Sequence, residues 1–175
     1  AIISRAEKEN MNVFKEMYIR EDEIPFDFSR RRMSVVLKDQ NGKRQLITKG
    51  AFDEIMTICS YIDINGEAIE FTEELKKKVY ILYEKNNKEG LRIVAVAQKN
   101  HIHEVEVFNT SDESDMVLIG LVGFLDPPKE SAREAITALN KHGVDTVVLT
   151  GDSEGVAINV CKKVGISTEN CLTGK

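Results

Sequence analysis

Met33-Ser34-Val35-Val36-Leu37-Lys38-Asp39-Gln40-Asn41-Gly42-Lys43-Arg44-Gln45-Leu46-Ile47-Thr48 is the stretch that sets the fold class. Two β-rich runs, residues 33–38 and 44–48, flank Asp-Gln-Asn-Gly, whose residues tolerate the backbone of a tight hairpin turn. An antiparallel pair is therefore predicted, and the neighbouring residues extend it. Lys49-Gly50-Ala51 leads into a predicted helix over residues 52–60, and a second hairpin is expected around Asn65-Gly66. Thr72 is placed to cap a helix whose Leu75, Val79 and Leu82 share one face, with Gly90 ending it. Residues 91–97 and 116–125 are apolar runs that read as buried strands, the second only about half a membrane span long. Upstream, residues 4–19 carry Met11, Phe14 and Tyr18 at helical spacing and predict a helix, with Pro25 breaking the pattern.

The pattern changes at Asp126-Pro127-Pro128, where two prolines exclude further strand pairing and mark a domain boundary. Beyond it Ala132, Ala135, Ile136 and Leu139 form one helical face, closed by Gly143. A strand over residues 146–149, the Thr150-Gly151-Asp152 loop and a helix with Val156, Val160 and Val164 inward follow, closed by Gly165. Alternation of β and α is the grammar of a parallel sheet. The chain thus reads as an α+β unit over residues 1–125, an antiparallel sheet flanked by helices. A partial Rossmann-like α/β segment follows over residues 126–175.

With 175 residues, 42% of them apolar and 30% charged, the chain has ample material for a core. A net charge of −5 argues against a nucleic-acid partner bound through phosphates, although Arg30-Arg31-Arg32 remains able to bind a small anion. Cys59, Cys161 and Cys171 show neither metal-ligand spacing nor a disulfide framework, which points to a reducing environment. His101 and His103 lie in a polar stretch and read as solvated, so no metal ligands are assigned. No signal-peptide pattern is seen, and Ala1-Ile2-Ile3 reads as the middle of a longer polypeptide.

Thr150-Gly151-Asp152 stands where open α/β sheets bind ligands, with a hydroxyl, an unobstructed N–H and a helix start. The same tripeptide also suits an ordinary turn, with Asp152 as a structural N-cap. Neither a Walker loop nor a dinucleotide fingerprint is present. In the first unit, Phe26 and Phe28 lie beside a basic tripeptide, Lys49-Gly50-Ala51 joins a strand to a helix, and Arg92 opens an apolar strand. Each has a plain structural reading. Together they supply an aromatic face for a base, cations for phosphates and a glycine for close approach. Stacking is worth about 1–3 kcal/mol per base, so modest nucleotide affinity is expected.

The ordered set Pro25-Phe26, Arg31-Arg32-Met33-Ser34-Val35, Lys49-Gly50-Ala51, Leu91-Arg92, Asp126-Pro127-Pro128-Lys129 and Thr150-Gly151-Asp152 resembles the cytoplasmic head of P-type cation-transporting ATPases. The resemblance covers essentially the whole chain, and order and spacing carry it rather than any one motif. It implies a nucleotide-binding (N) domain over residues 1–125. From the Asp-Pro-Pro hinge, it implies the returning part of a haloacid-dehalogenase-like phosphorylation (P) domain over residues 126–175.

By the same resemblance, Phe26 stacks on adenine, with Phe28 as the fallback, and Arg31 stands where relatives carry a lysine near the nucleotide. Lys49 lies in the adenine pocket, with Gly50 and Ala51 letting the ring approach, and Arg92 contacts the phosphates. Thr150 and Gly151 hold the transferred phosphoryl group, and Asp152 orders that site. Phe52-Asp53 replaces the family's Pro-Glu, and Lys129 replaces an arginine. There is no Asp-Lys-Thr-Gly-Thr segment, so no phosphate-accepting aspartate. The chain alone is expected to bind Mg-ATP without forming the aspartyl-phosphate. The metal-holding aspartates are expected outside it.

The implied partners are ATP and the remaining P, actuator and transmembrane domains of one polypeptide, at the cytoplasmic face of a membrane. Pro-Phe-Asp-Phe, Arg-Arg-Arg-Met-Ser-Val-Val and Leu-Thr-Gly-Asp-Ser-Glu look most like bacterial magnesium-transporting members, with calcium pumps second. Two other readings compete: a freestanding haloacid-dehalogenase-like phosphatase, and a non-catalytic nucleotide-sensing module.

Overall fold

A computed structural model describes residues 17–100, 102, 107–125, 127–151 and 154–172. The helix expected over residues 4–19 lies almost wholly outside these residues, as do His101, His103, Asp126 and Asp152. Its last three residues are described: Met17 is in a turn, and Tyr18 and Ile19 are extended. Tyr18 and Ile19 begin strand β1 (Tyr18–Asp27) and pair with Asp39 and Lys38 of β2 (Arg32–Asp39). Long-range pairing overrides the local helical spacing here, as it commonly does for aromatic and β-branched residues. Pro25 does not end the element either. β1 is an edge strand, where a missing N–H costs no ladder bond.

The expected hairpin is completed by β3 (Arg44–Ala51). Asp39 organises its turn. Its carbonyl accepts from Gly42 N at 3.0 Å, and its Oδ1 accepts from the backbone N–H groups of Asn41 (2.9 Å) and Lys43 (2.8 Å). The side chain thereby serves as a turn acceptor, the reason aspartate favours such positions. Helix α1 (Phe52–Ile58) follows at once and buries Phe52 and Ile55, one turn apart. β4 (Cys59–Ile64) and β5 (Glu67–Glu70) form the second hairpin. Helix α2 (Glu73–Lys88) starts at Thr72, whose Oγ1 accepts from Leu75 N at 3.4 Å. β6 (Arg92–Asn100) and β7 (Met116–Phe124) complete a seven-stranded sheet of order β1-β2-β3-β6-β7-β4-β5.

β1, β2, β3 and β6 pair antiparallel in succession, whereas β4 pairs with β7 in parallel. The sheet is therefore mixed, a correction to the antiparallel expectation. A parallel pair needs a long crossover, and the chain between β4 and β7 supplies one. Cross-strand partners share a face, so register places Ser34 with Thr48 and Val36 with Leu46, and continues the first row to Ala97. All five are buried.

Gly50 is required by this packing. A Cβ there would lie 2.5 Å from Arg32 Cβ and 2.6 Å from the Arg31 carbonyl oxygen, closer than real side chains come.

Contacts divide the chain into two compact units, Ala1–Lys77 with Val94–Val122, and Lys78–Ile93 with Gly123–Lys175. The second contains the end of α2 together with α3 (Ala132–Lys141) and α4 (Glu154–Val164). α4 meets the end of α2 closely. A Cβ on Gly155 would fall 2.5 Å from Asn87 Oδ1, and Asn159 Nδ2 donates to the Glu89 carbonyl at 3.2 Å. Of the three valines expected inward, Val156 and Val164 are buried and Val160 is half-buried.

The strand expected over residues 146–149 does not form. Residues 144–150 have no regular structure, and Val147 and Leu149 are 79% and 93% exposed. An extended segment becomes a strand only when a neighbour takes its backbone hydrogen bonds, and the described residues of this unit offer none. Beyond β7, the regular structure among the described residues of this unit is helical.

Gly50→Ala is expected to destabilise the first unit by about 1–3 kcal/mol through overpacking. The drop would be read in the urea midpoint; an unchanged midpoint would contradict the account of Gly50.

Candidate functional site

β1 carries an extra residue between the pairs Ile24–Ser34 and Asp27–Arg32, so Pro25 and Phe26 together face Met33. Such bulges bend a strand and re-aim its side chains. Met33 pairs with Lys49, and Lys49 with Val96. The register therefore lays Phe26, Met33 and Lys49 across three adjacent strands, two strand spacings or about 10 Å from first to last. Phe26 is 51% exposed and Phe28 89% exposed. Their rings meet edge to face, with centroids 5.2 Å apart and planes at 87°. This geometry suits the aromatic quadrupoles and holds the Phe26 ring beside a solvent-exposed partner. Lys49 is exposed and forms no ion pair among the described residues.

The turn between β1 and β2 is built on Asp27. Its Oδ1 accepts from Ser29 N (2.7 Å), Arg30 N (3.0 Å) and the Ser29 hydroxyl. The Ser29 hydroxyl, then the Arg30 and Ser29 N–H groups, hold its carboxyl below the usual value. Arg31 donates its N–H to the Asp27 carbonyl at 2.7 Å and adopts a left-handed backbone, φ +46°. The Arg31 carbonyl in turn accepts from Ala51 N at 3.0 Å. Gly50 and Ala51 thus form the junction on which the β1–β2 turn closes. That junction sets Lys49 in register with Met33. The Arg31 guanidinium reaches α1, where Nη2 and Nε donate to Glu54 Oε1 at 2.6 and 3.2 Å.

The other two arginines converge on Glu113, which follows a short 3-10 turn (Thr110–Asp112). Its Oε2 accepts from Arg30 Nη1 (2.6 Å) and Arg32 Nε (2.8 Å), and its Oε1 from the Ser34 hydroxyl (2.7 Å). Ser34 Oγ is also 2.7 Å from Thr48 Oγ1. An ionised carboxylate only accepts, so Ser34 donates to Glu113 and Thr48 donates to Ser34. The Glu113 side chain has no exposed surface. Burial raises its carboxyl pKa, but hydrogen bonds from Arg32, Ser34 and Arg30 outweigh this and keep it below the ordinary 4.5. The Arg30-Arg31-Arg32 cluster is thereby paired internally, on Glu113 and Glu54, rather than left as an open anion site.

The remaining candidates belong to the second unit. Arg92 is exposed at the head of β6. Thr150 and Gly151 lie in the irregular, exposed stretch before α4, and Asp152 is outside the described residues. Burial pushes the Cys59 thiol up to about 12, which removes it as a nucleophile. Among the described residues no cluster of His, Cys, Asp and Glu forms a metal site.

Phe26, Met33 and Lys49 thus share one row of the sheet, with the Gly50-Ala51 junction beside it. A family model described as P-type ATPase, cytoplasmic domain N, matches residues 1–131. The chain belongs to this family. It is 39% identical over 174 residues to "Magnesium-transporting ATPase, P-type 1" of Escherichia coli K12, covering 99% of this chain and 19% of that protein. It is 42% identical over 153 residues to the protein of the same name in Salmonella typhimurium, covering 87% and 17%. A calcium-transporting ATPase of Listeria monocytogenes is 34% identical over 179 residues, covering 100% and 20%. The chain spans about a fifth of the length of these relatives. Within this P-type ATPase domain, no helix among the described residues is long and apolar enough to cross a membrane.

Glu113 was not legible as a site residue. It lies in a polar run 79 residues beyond Ser34, and only the uncompensated Arg30-Arg31-Arg32 hinted that an acid was needed. Removing one partner of a buried ion pair strands the other, so Glu113→Gln should cost about 3 kcal/mol or more at neutral pH. Because the folded-state carboxyl sits below its ordinary value, its contribution is full above pH 4.5 and fades as pH falls through the lower folded value. Urea midpoints of wild type and Glu113→Gln should therefore converge below that pH. A gap that stays constant into the acid range would contradict this assignment.

Proposed function

We propose that the chain is the nucleotide-binding region of a P-type ATPase that couples ATP hydrolysis, through an aspartyl-phosphate, to transport of magnesium across a membrane. One observation carries the nucleotide reading: a half-exposed phenylalanine ring and an exposed lysine in register across three strands. Adenine stacks on Phe26, with Phe28 bracing the ring from its edge. Lys49 lines the adenine pocket, and its place there is set by the Gly50-Ala51 junction. Arg31 and Arg92 serve the phosphates, Arg31 being shared with Glu54. A ring face and a few cations give modest affinity, since each contributes about 1–3 kcal/mol.

In this reading the N domain comprises residues 1–125. A haloacid-dehalogenase-like P domain begins at Asp126-Pro127-Pro128, and residues 126–175 are its returning part. Thr150 and Gly151 hold the transferred phosphoryl group there, and Asp152 orders them. ATP arrives as its magnesium complex. The accepting aspartate and the metal-holding aspartates come from polypeptide outside this sequence, together with actuator and transmembrane domains. The domain works on the cytoplasmic side. Magnesium is favoured over calcium as the transported ion because the magnesium-transporting relatives are the more similar, at 39–42% against 34% identity.

Titration with ATP, followed by NMR, tests this. Shifts are expected at Phe26, Lys49 and Arg92. Phe26→Ala should weaken binding about 10- to 100-fold, the worth of one stacked base. Lys49→Glu should abolish binding with the circular dichroism spectrum unchanged. Wild-type protein whose signals at these residues stay still at millimolar ATP would refute the proposal.

A further inference from the structure

The Arg30 side chain does two things at once. Its Nη1 is held by the buried Glu113 carboxylate at 2.6 Å, and its Nη2 donates to the Pro25 carbonyl at 3.0 Å. Pro25 is the first bulge residue and Phe26 the second. A chain of contacts therefore runs from a carboxylate in the core, through one planar guanidinium, to the peptide that carries the Phe26 ring. A bulge leaves its extra residue without a ladder partner, and proline has no N–H to offer in its place. The Pro25 carbonyl, exposed at the edge strand, takes its protein donor from Arg30, which ties the bulge to the core instead of leaving it to solvent alone.

Glu113 is itself fixed from several sides. Arg32 and Ser34 hold it from β2, and Thr48 supports Ser34 from β3. The loop carrying Glu113 is braced too. Asn109 and Asp112 exchange hydrogen bonds across the 3-10 turn, and Phe108 N donates to Asp22 Oδ2 at 3.1 Å. The guanidinium fork is rigid, so fixing one end fixes the other.

We propose that Arg30, anchored by Glu113, is a positioning residue for nucleotide binding: it fixes the Pro25–Phe26 bulge so that the Phe26 ring is preorganised to stack on a purine. The inference rests on the nucleotide-binding reading above and adds a residue that acts through Phe26 without touching the phosphates. A lysine at position 30 cannot bridge both oxygens in the same plane, and a methionine keeps the stem while removing both hydrogen bonds.

The test is binding of adenosine, AMP, ADP and ATP by this chain as wild type, Arg30→Met and Arg30→Lys, with NMR signals of the Phe26 ring recorded without ligand. Arg30→Met should weaken all four ligands by the same factor, about five- to tenfold, the loss expected for one hydrogen bond of ordinary net strength. Arg30→Lys should recover only part of that. The ring signals should move before any ligand is added. A loss that grows with each added phosphate would make Arg30 a direct phosphate contact and overturn the proposal. Unchanged affinities, with wild type binding ATP at Phe26, would overturn it while leaving the proposed function standing. Failure of wild type to bind any of the four would remove that function instead. Glu113→Gln is the second variant. If it folds at neutral pH, it should reproduce the uniform loss; normal affinity in a folded Glu113→Gln would also count against the proposal.

Discussion

A carboxylate with no access to water lies between two guanidiniums and a hydroxyl, and the first unit is arranged around it. Desolvating Glu113 is costly, and the cost is offset only because Arg30, Arg32 and Ser34 reach it together. Such a cluster adds little net stability compared with an apolar replacement, but it tolerates no missing member. Its consequence is specificity of arrangement. The loop before β7, the turn between β1 and β2 and the middle of β3 must stand in one relation for every charge to be satisfied.

That relation reaches the surface through short steps. Arg30 carries it to the Pro25 carbonyl, and Gly50 lets the Arg31 backbone close on the end of β3. The result is an exposed phenylalanine and an exposed lysine, neither of which is held by the core directly. Both keep their places because the backbone beneath them is fixed. Both side chains stay accessible, while the Glu113 carboxylate beneath them stays dry.

The second unit follows a different logic. Its last helix packs through Gly155 and Asn159 against the end of α2, yet the apolar residues 147–149 stay outside any strand and exposed. Their composition is that of an inner strand, and composition alone cannot make one. A parallel strand takes its hydrogen bonds from both neighbours, so its formation belongs to the whole sheet.

Local chemistry determined much of this protein by itself. The hairpin turn at Asp39-Gln40-Asn41-Gly42, the cap at Thr72, the buried valines of the last helix and the ordered motifs that place the chain among P-type ATPases could all be read along the chain. These features depend on neighbours a few residues apart, whose preferences survive folding. The tertiary structure alone decided the rest: that Tyr18 and Ile19 extend a strand, that β4 runs parallel to β7, that residues 146–149 remain irregular, and that Glu113 joins Arg30 and Arg32. Each turns on whether the fold brings up a partner from elsewhere in the chain. A pairing energy of that kind leaves no trace in local spacing, because it exists only once the chain has brought both partners out of water.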